Sequence, residues 1–287
     1  MNFQTAEELL NLCKEHGLPI SKVMLEREKT IGHMSEEEIL KALMHAYDIM
    51  KNAIKRSLTE DLTSMGGLIG GEAKKIYKRK EDSACGSLVS KAISYAMGVL
   101  EVNTSMGLIV AAPTAGSSGV IPGVFVAIQE ERGFSDARML EALLNAGAVG
   151  YLITRNATVS GAEGGCQAEI GSASAMAASA VVELLGGTPA QCLDAASTAL
   201  ANILGLVCDP VGGLVEAPCQ NRNGMGASNA LISAEITLAG IKHLVPFDET
   251  VEAMYKVGRS IPFELRETAL GGLAATKTAC QRCGKCD

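Results

Sequence analysis

The chain has 287 residues, enough for one large domain or two small ones, and its 47% hydrophobic against 20% charged residues exclude a disordered chain. A net charge of -7 excludes the broadly basic face that nucleic-acid binders carry. With no tryptophan, 3% aromatics and 31 glycines, the core must be filled by Ala, Val, Leu, Ile and Met on closely spaced backbones.

Residues 1–30 are charged throughout, with Lys14, Lys22, Arg27 and Lys29 among acids, so no export signal is read there and a soluble, cytoplasmic protein is expected. Ser35 and Glu38 form a capping box, and Ile39, Leu43, Tyr47, Met50 and Ile54 recur at helical spacing, which predicts a helix over 36–57. Residues 61–71 (DLTSMGGLIGG) read as a Gly-rich loop. The basic run from Lys74 to Lys80 meets Glu81 and Asp82 at once and reads as a solvated face. A second helix is expected over 86–100.

The uncharged block 102–129 is broken by Pro113, Gly116 and Pro122, so neither half reaches the ~18–20 apolar residues of a membrane span. It reads as two buried segments around the loop 113–119 (PTAGSSG). Helices are expected over 136–153, over 172–185 behind a Gly-rich entry at 160–171, and from Thr188-Pro189 to about residue 206. Residues 207–226 hold too many Gly and Pro for a regular element, and helices resume over 227–244 and 248–258. Strand signals are few. The expected fold is all-α, with an N-terminal helical subregion (1–60), a helical catalytic domain (61–279) and a Cys-rich tail (280–287).

Nine cysteines without an export signal point to reduced thiols and to metal or redox chemistry. Cys166, Cys208 and Cys219 lie in Gly/Pro-rich segments, 42 and 11 residues apart, which matches neither a zinc ribbon nor a ferredoxin run. Glycine beside them lets backbone amides face sulfur, and Pro210 and Pro218 stiffen two of the segments. Cys13, Cys85 and Cys192 read instead as small buried hydrophobes. Three thiolates on a four-iron cluster would leave one iron open as a Lewis acid.

Thr114, Ser117 and Ser118, and likewise Thr63 and Ser64, are candidates for binding a small anionic substrate, with helix capping as the competing reading. Asn156 and Arg222 join them among the polar residues near the cysteines, which also include Glu163, Glu169, Glu216, Asn221 and Asn223. Arg222 either grips a carboxylate with its fork or pairs with Glu216. None of His16, His33, His45 and His243 sits in a Gly-rich loop, so the general base is unknown from this chain.

The segments EVNTSMGLIVAAPTAGSSGVIPGV (101–124), SGAEGGCQAEIGSASAMAA (160–178), LGLVCDPVGGLVEAPCQNRNGMGASNA (204–230) and LRETALGGLAATKT (265–278) closely resemble the α chain of bacterial iron–sulfur L-serine dehydratases, and 61–71 is similar to an earlier loop of that family. The resemblance spans about residues 60–278. It implies an all-helical fold and a 4Fe-4S cluster on Cys166, Cys208 and Cys219. It further implies conversion of L-serine to pyruvate and ammonia without pyridoxal phosphate, the open iron acting on the substrate hydroxyl. A β chain is implied as partner and as the source of the missing base.

The tail departs from the family pattern. Thr276-Lys277-Thr278-Ala279 is followed by Cys280, Cys283 and Cys286, and Cys286 is a candidate fourth ligand that folds back on the open iron. Iron delivery, zinc binding and a reducing tail compete with that reading. A related lyase acting on L-threonine or L-cysteine, or a non-catalytic cluster scaffold or electron carrier, are the alternative functions.

Overall fold

A computed structural model describes residues 1–283. The chain opens with α1 (Ala6–His16), α2 (Ile20–Ile31), α3 (Glu36–Thr59), α4 (Glu72–Lys78) and α5 (Gly86–Thr104). The middle of the chain forms α6 (Val120–Arg132), α7 (Asp136–Asn156), the single turn α8 (Gly161–Gly164), α9 (Cys166–Leu184) and α10 (Pro189–Ala201). The last part forms α11 (Cys219–Leu238), α12 (Phe247–Ser260) and α13 (Lys277–Cys283). Among the described residues no strand forms, and one isolated bridge pairs Cys208 with Arg266. The all-α expectation holds.

Local chemistry sets several starts. Ser35 with Glu38 and Thr188 with Gln191 each make a reciprocal capping box, the second with proline at the first helical position. Thr5 with Glu8 makes a third, at a helix the charged N-terminal composition did not reveal.

One apolar cluster runs from Phe3 through Tyr47, Phe125 and Leu152 to Met254, so α1–α3 pack on the same core as the rest. Each fully buried Leu or Ile in it, Leu152 for example, contributes about 1.5–3 kcal/mol. α9 is the central helix, buried along nearly its whole length and packed by α6, α7, α10 and α11.

Two helices start well before their predicted positions. α9 begins at Cys166 rather than residue 172, and α11 at Cys219 rather than 227. The glycines that suggested loops are contact residues inside helices. A Cβ on Gly226 would stand 2.7 Å from Ile170 Cγ2, and the Ser174 hydroxyl donates to the Gly226 carbonyl at 2.9 Å. α11 can lie this close to α9 only because position 226 carries no side chain. α10, in contrast, ends at Ala201, short of the predicted 206.

No helix among the described residues is long and apolar enough to cross a membrane. Cys13 and Cys192 are buried as expected, but Cys85 is exposed at the start of α5, its sulfur 3.3 Å from the Ser83 hydroxyl. It therefore fills no core space.

Candidate cluster and substrate site

Cys166 is the first residue of α9 and Cys219 the first of α11, both long helices. A helix N-terminus carries partial positive charge and favours a thiolate. Cys208 arrives on an extended segment held between its amide and the Leu265 carbonyl (2.8 Å) and between its carbonyl and the Glu267 amide (2.7 Å). All three cysteines are buried.

Buried polar side chains stitch these segments together. Gln167 donates to the Gly164 and Met254 carbonyls and accepts from the Gly205 amide, which fixes the strand-like approach to Cys208 against the start of α9. Asn223 donates to the Gly116 and Cys219 carbonyls and accepts from the Gly119 amide, which ties the loop 113–119 to α11. Asp209 joins Arg222 at 2.7 Å and accepts from the Leu273 amide at 2.7 Å. These roles for Gln167 and Asp209 have no motif in the sequence.

The sulfurs of Cys166 and Cys208 and a carboxylate oxygen of Glu169 lie within 4.8 Å of one another. Glu169 follows Cys166 by three residues and Arg222 follows Cys219 by three, so each shares a helix face with its cysteine. That spacing was the available sequence signal for Glu169. The Arg222 guanidinium donates to Cys166 Sγ at 3.3 Å and to the Val207 carbonyl at 2.9 Å.

The Cys208 thiol donates to Cys166, which together with the Arg222 charge holds the Cys166 thiol below its ordinary value. The same hydrogen bond, and then burial, push Cys208 up. Burial first, then the charges of Cys166 and Glu169, push Cys219 up. Burial raises the Glu169 carboxyl, Glu267 adds to this, and the Thr114 hydroxyl opposes it.

The donor set suits an iron–sulfur cluster. Three buried sulfurs are soft ligands, two of them sit on helix N-termini, and a guanidinium offsets anionic sulfur. Gly161 leaves room beside them: a Cβ there would stand 3.2 Å from Cys208 Sγ, 3.2 Å from Glu169 Oε2 and 3.5 Å from Glu267 Oε2.

The structure sorts the candidate substrate residues. Thr114 faces the site, donating its hydroxyl to Glu169 and lying 2.9 Å from the Ser117 hydroxyl. The amides of Ser117, Ser118, Gly119 and Val120 are engaged within the protein, although no side chain caps α6. Ser118 Oγ is buried without a hydrogen-bond partner among the described residues. Thr63 is exposed, whereas Ser64 is buried and donates to Glu216 at 2.6 Å. Glu216 also accepts from the Gly66 and Leu68 amides, so the first Gly-rich loop wraps this chain's own carboxylate.

Arg222 pairs with Asp209, not with Glu216, and both its terminal nitrogens are committed. Asn156 donates to the Gln4 and Leu152 carbonyls at the exposed end of α7; none of its hydrogen bonds reaches the cysteine segments. His16, His33 and His45 are exposed, and His243 bonds the Val245 backbone. Cys280 is disulfide-bonded, against the expectation of a fully reduced chain, and Cys286 lies outside the described residues.

Residues 15–274 match the family model for the serine dehydratase alpha chain. The chain is 49% identical over 276 residues to the "L-serine dehydratase, alpha chain" of Peptoniphilus asaccharolyticus, covering 96% of this chain and 94% of that one. It is 40% identical over 291 residues to the "L-serine dehydratase" of Streptomyces coelicolor, covering 97% of this chain and 62% of that longer protein. A 37% identity over 282 residues links it to the "L-serine dehydratase" of Mycobacterium tuberculosis, covering 95% of this chain and 61% of the relative.

Proposed function

The chain belongs to the serine dehydratase alpha chain family, and from that premise we propose that it forms the cluster-bearing half of an enzyme that converts L-serine to pyruvate and ammonia. The observation that carries this reading is the convergence of Cys166 and Cys208 with Glu169, beside buried Cys219 and under the Arg222 guanidinium.

Cys166, Cys208 and Cys219 hold a 4Fe-4S cluster in this reading. When bound, it supplies a Lewis acid for the hydroxyl that leaves the substrate. Arg222 steadies the Cys166 thiolate and locks the Cys208 segment through Val207 and Asp209. Thr114 and Ser117 line the substrate side, with Thr114 orienting the Glu169 carboxylate. Glu216, by filling the loop 64–68, fixes the approach to Pro218 and Cys219. Ser64 therefore acts on architecture rather than on substrate.

A β chain completes the enzyme. The longer single-chain relatives contain a portion this chain does not match, and among the described residues no histidine hydrogen-bonds Cys166, Glu169 or Arg222. The protein works in the cytoplasm, where an oxygen-sensitive cluster is best kept.

The test is anaerobic reconstitution with iron and sulfide, with and without the β chain, followed by iron and sulfide analysis and a pyruvate assay on L-serine. Near four irons per chain and turnover only with the β chain are expected. A single bound metal without sulfide, as the Cys166, Glu169 and Cys208 group alone would hold, overturns the cluster; full turnover by this chain alone overturns the need for a partner.

A further inference from the structure

Glu169 is a half-buried carboxylate whose hydrogen-bond partner is the neutral Thr114 hydroxyl. Among the described residues, no lysine, arginine or histidine forms an ion pair with Glu169 or with Glu267. The nearby cation, Arg222, is committed to Asp209, Cys166 and Val207. Two glycines leave the Glu169 carboxylate bare: a Cβ on Gly116 would stand 2.6 Å from Oε1, and one on Gly161 would stand 3.2 Å from Oε2. Glu267 reaches the same place from the segment that pairs with Cys208, its Oε2 lying 3.5 Å from that second position.

A carboxylate drawn partly out of water without a counter-charge is costly, and a cationic ligand offsets that cost. The substrate of the proposed reaction carries one cation, its α-ammonium. The sulfurs of Cys166 and Cys208 lie within 4.8 Å of the Glu169 carboxylate and offer it no counter-charge.

We propose that Glu169, flanked by Gly116 and Gly161 and assisted by Glu267, is the binding site for the α-ammonium group of the amino-acid substrate. This rests on the reading that the enzyme acts on L-serine. It also gives the site a reason to prefer amino acids over hydroxy acids with the same carboxylate and hydroxyl. Glu169 is the primary contact and Glu267, at the exposed rim, the secondary one.

The test compares L-serine with 3-hydroxypropanoate, which keeps the carboxylate and β-hydroxyl but has hydrogen in place of the ammonium. The reconstituted enzyme with its β chain is assayed as wild type, Glu169→Gln, Glu169→Asp and Glu267→Gln. Glu169→Gln should raise KM for L-serine about 100-fold while changing the inhibition constant of 3-hydroxypropanoate less than about 3-fold. Glu169→Asp should recover part of the loss, and Glu267→Gln should weaken L-serine about 5-fold. Iron per chain and the cluster absorbance should be unchanged. Equal weakening of both ligands, or no weakening of either, overturns the proposal. Loss of iron in Glu169→Gln also overturns it, by making Glu169 a metal ligand. If wild-type enzyme holds its cluster but neither binds nor turns over L-serine, the serine reading itself has failed, and the proposal falls with it before any variant is compared.

Discussion

Two Gly-rich loops in this molecule each meet a carboxylate, Glu216 buried and Glu169 half-buried, and they treat it in opposite ways. The loop at 64–69 surrounds Glu216 with the Ser64 hydroxyl and the Gly66 and Leu68 amides, at 2.6, 2.6 and 3.0 Å. The loop at 113–119 gives Glu169 one hydroxyl from Thr114 and turns the amides of Ser117, Ser118 and Gly119 elsewhere. Both loops contain Gly and Ser, so composition does not separate them. The number of donors does: a saturated carboxylate is a fastener, and an undersupplied one is a receptor.

The largest effect is expected at the fastener. Glu216→Ala leaves a hydroxyl and two amides facing a cavity, and should cost about 3–5 kcal/mol of folding stability. Glu216→Gln keeps one acceptor oxygen and should cost about 1–3 kcal/mol. Urea unfolding of the two variants checks both values. A loss below ~1 kcal/mol for Glu216→Ala would show that the loop does not depend on its carboxylate.

The receptor should behave in the reverse sense. Gly116→Ala places a Cβ 2.6 Å from Glu169 Oε1, the movable end of a side chain, so the carboxylate is displaced at little cost to the fold. Affinity for L-serine should fall about 10–100-fold. Stability should stay within about 1 kcal/mol of the parent. A variant that loses stability but keeps its KM would erase the contrast between the two loops.

Much of this was legible in the sequence, and the failures have common physical causes. Capping boxes at Ser35 and Thr188 fix helix starts because their hydrogen bonds are local. The starts of α9 and α11 were missed because Gly171, Gly224 and Gly226 read as breakers, whereas they are contact points between helices. Local propensity yields there to packing that only the fold supplies. Cys166, Cys208 and Cys219 stand out because sulfur in Gly/Pro-rich segments is distinctive, and the fold buries all three. Arg222 was found, but its partner was not, because Asp209 and Glu216 are both near it in sequence and only the path of the chain decides between them. Asn156 sits close to the cysteine segment in sequence, yet α7 ends on the side of Gln4.

A third carboxylate, the buried Glu101, lies between the two extremes and gives the finest test. Glu101 on α5 accepts through Oε1 from the Ala73 amide at 3.0 Å and from Gln220 at 2.9 Å, while its Oε2 is buried without a partner among the described residues. Burial pushes its carboxyl above the ordinary 4.5, and the Glu72 charge adds to this against the pull of the Ala73 and Gly71 amides. A raised folded value means that the folded chain holds the proton more tightly than the unfolded one. The stability this proton contributes is complete below about pH 4.5 and is lost as pH rises from there through the folded value. Glu101→Gln keeps the acceptor, supplies a donor toward Glu72 and has no proton to lose. The variant should match the parent near pH 4 and exceed it by about 1 kcal/mol near pH 8 in urea unfolding. An advantage that is the same at both pH values would place the effect in packing rather than in charge. A loss at pH 8 would mean that the Glu101 carboxylate is satisfied, which would move it to the side of Glu216 and leave Glu169 as the receptor by itself.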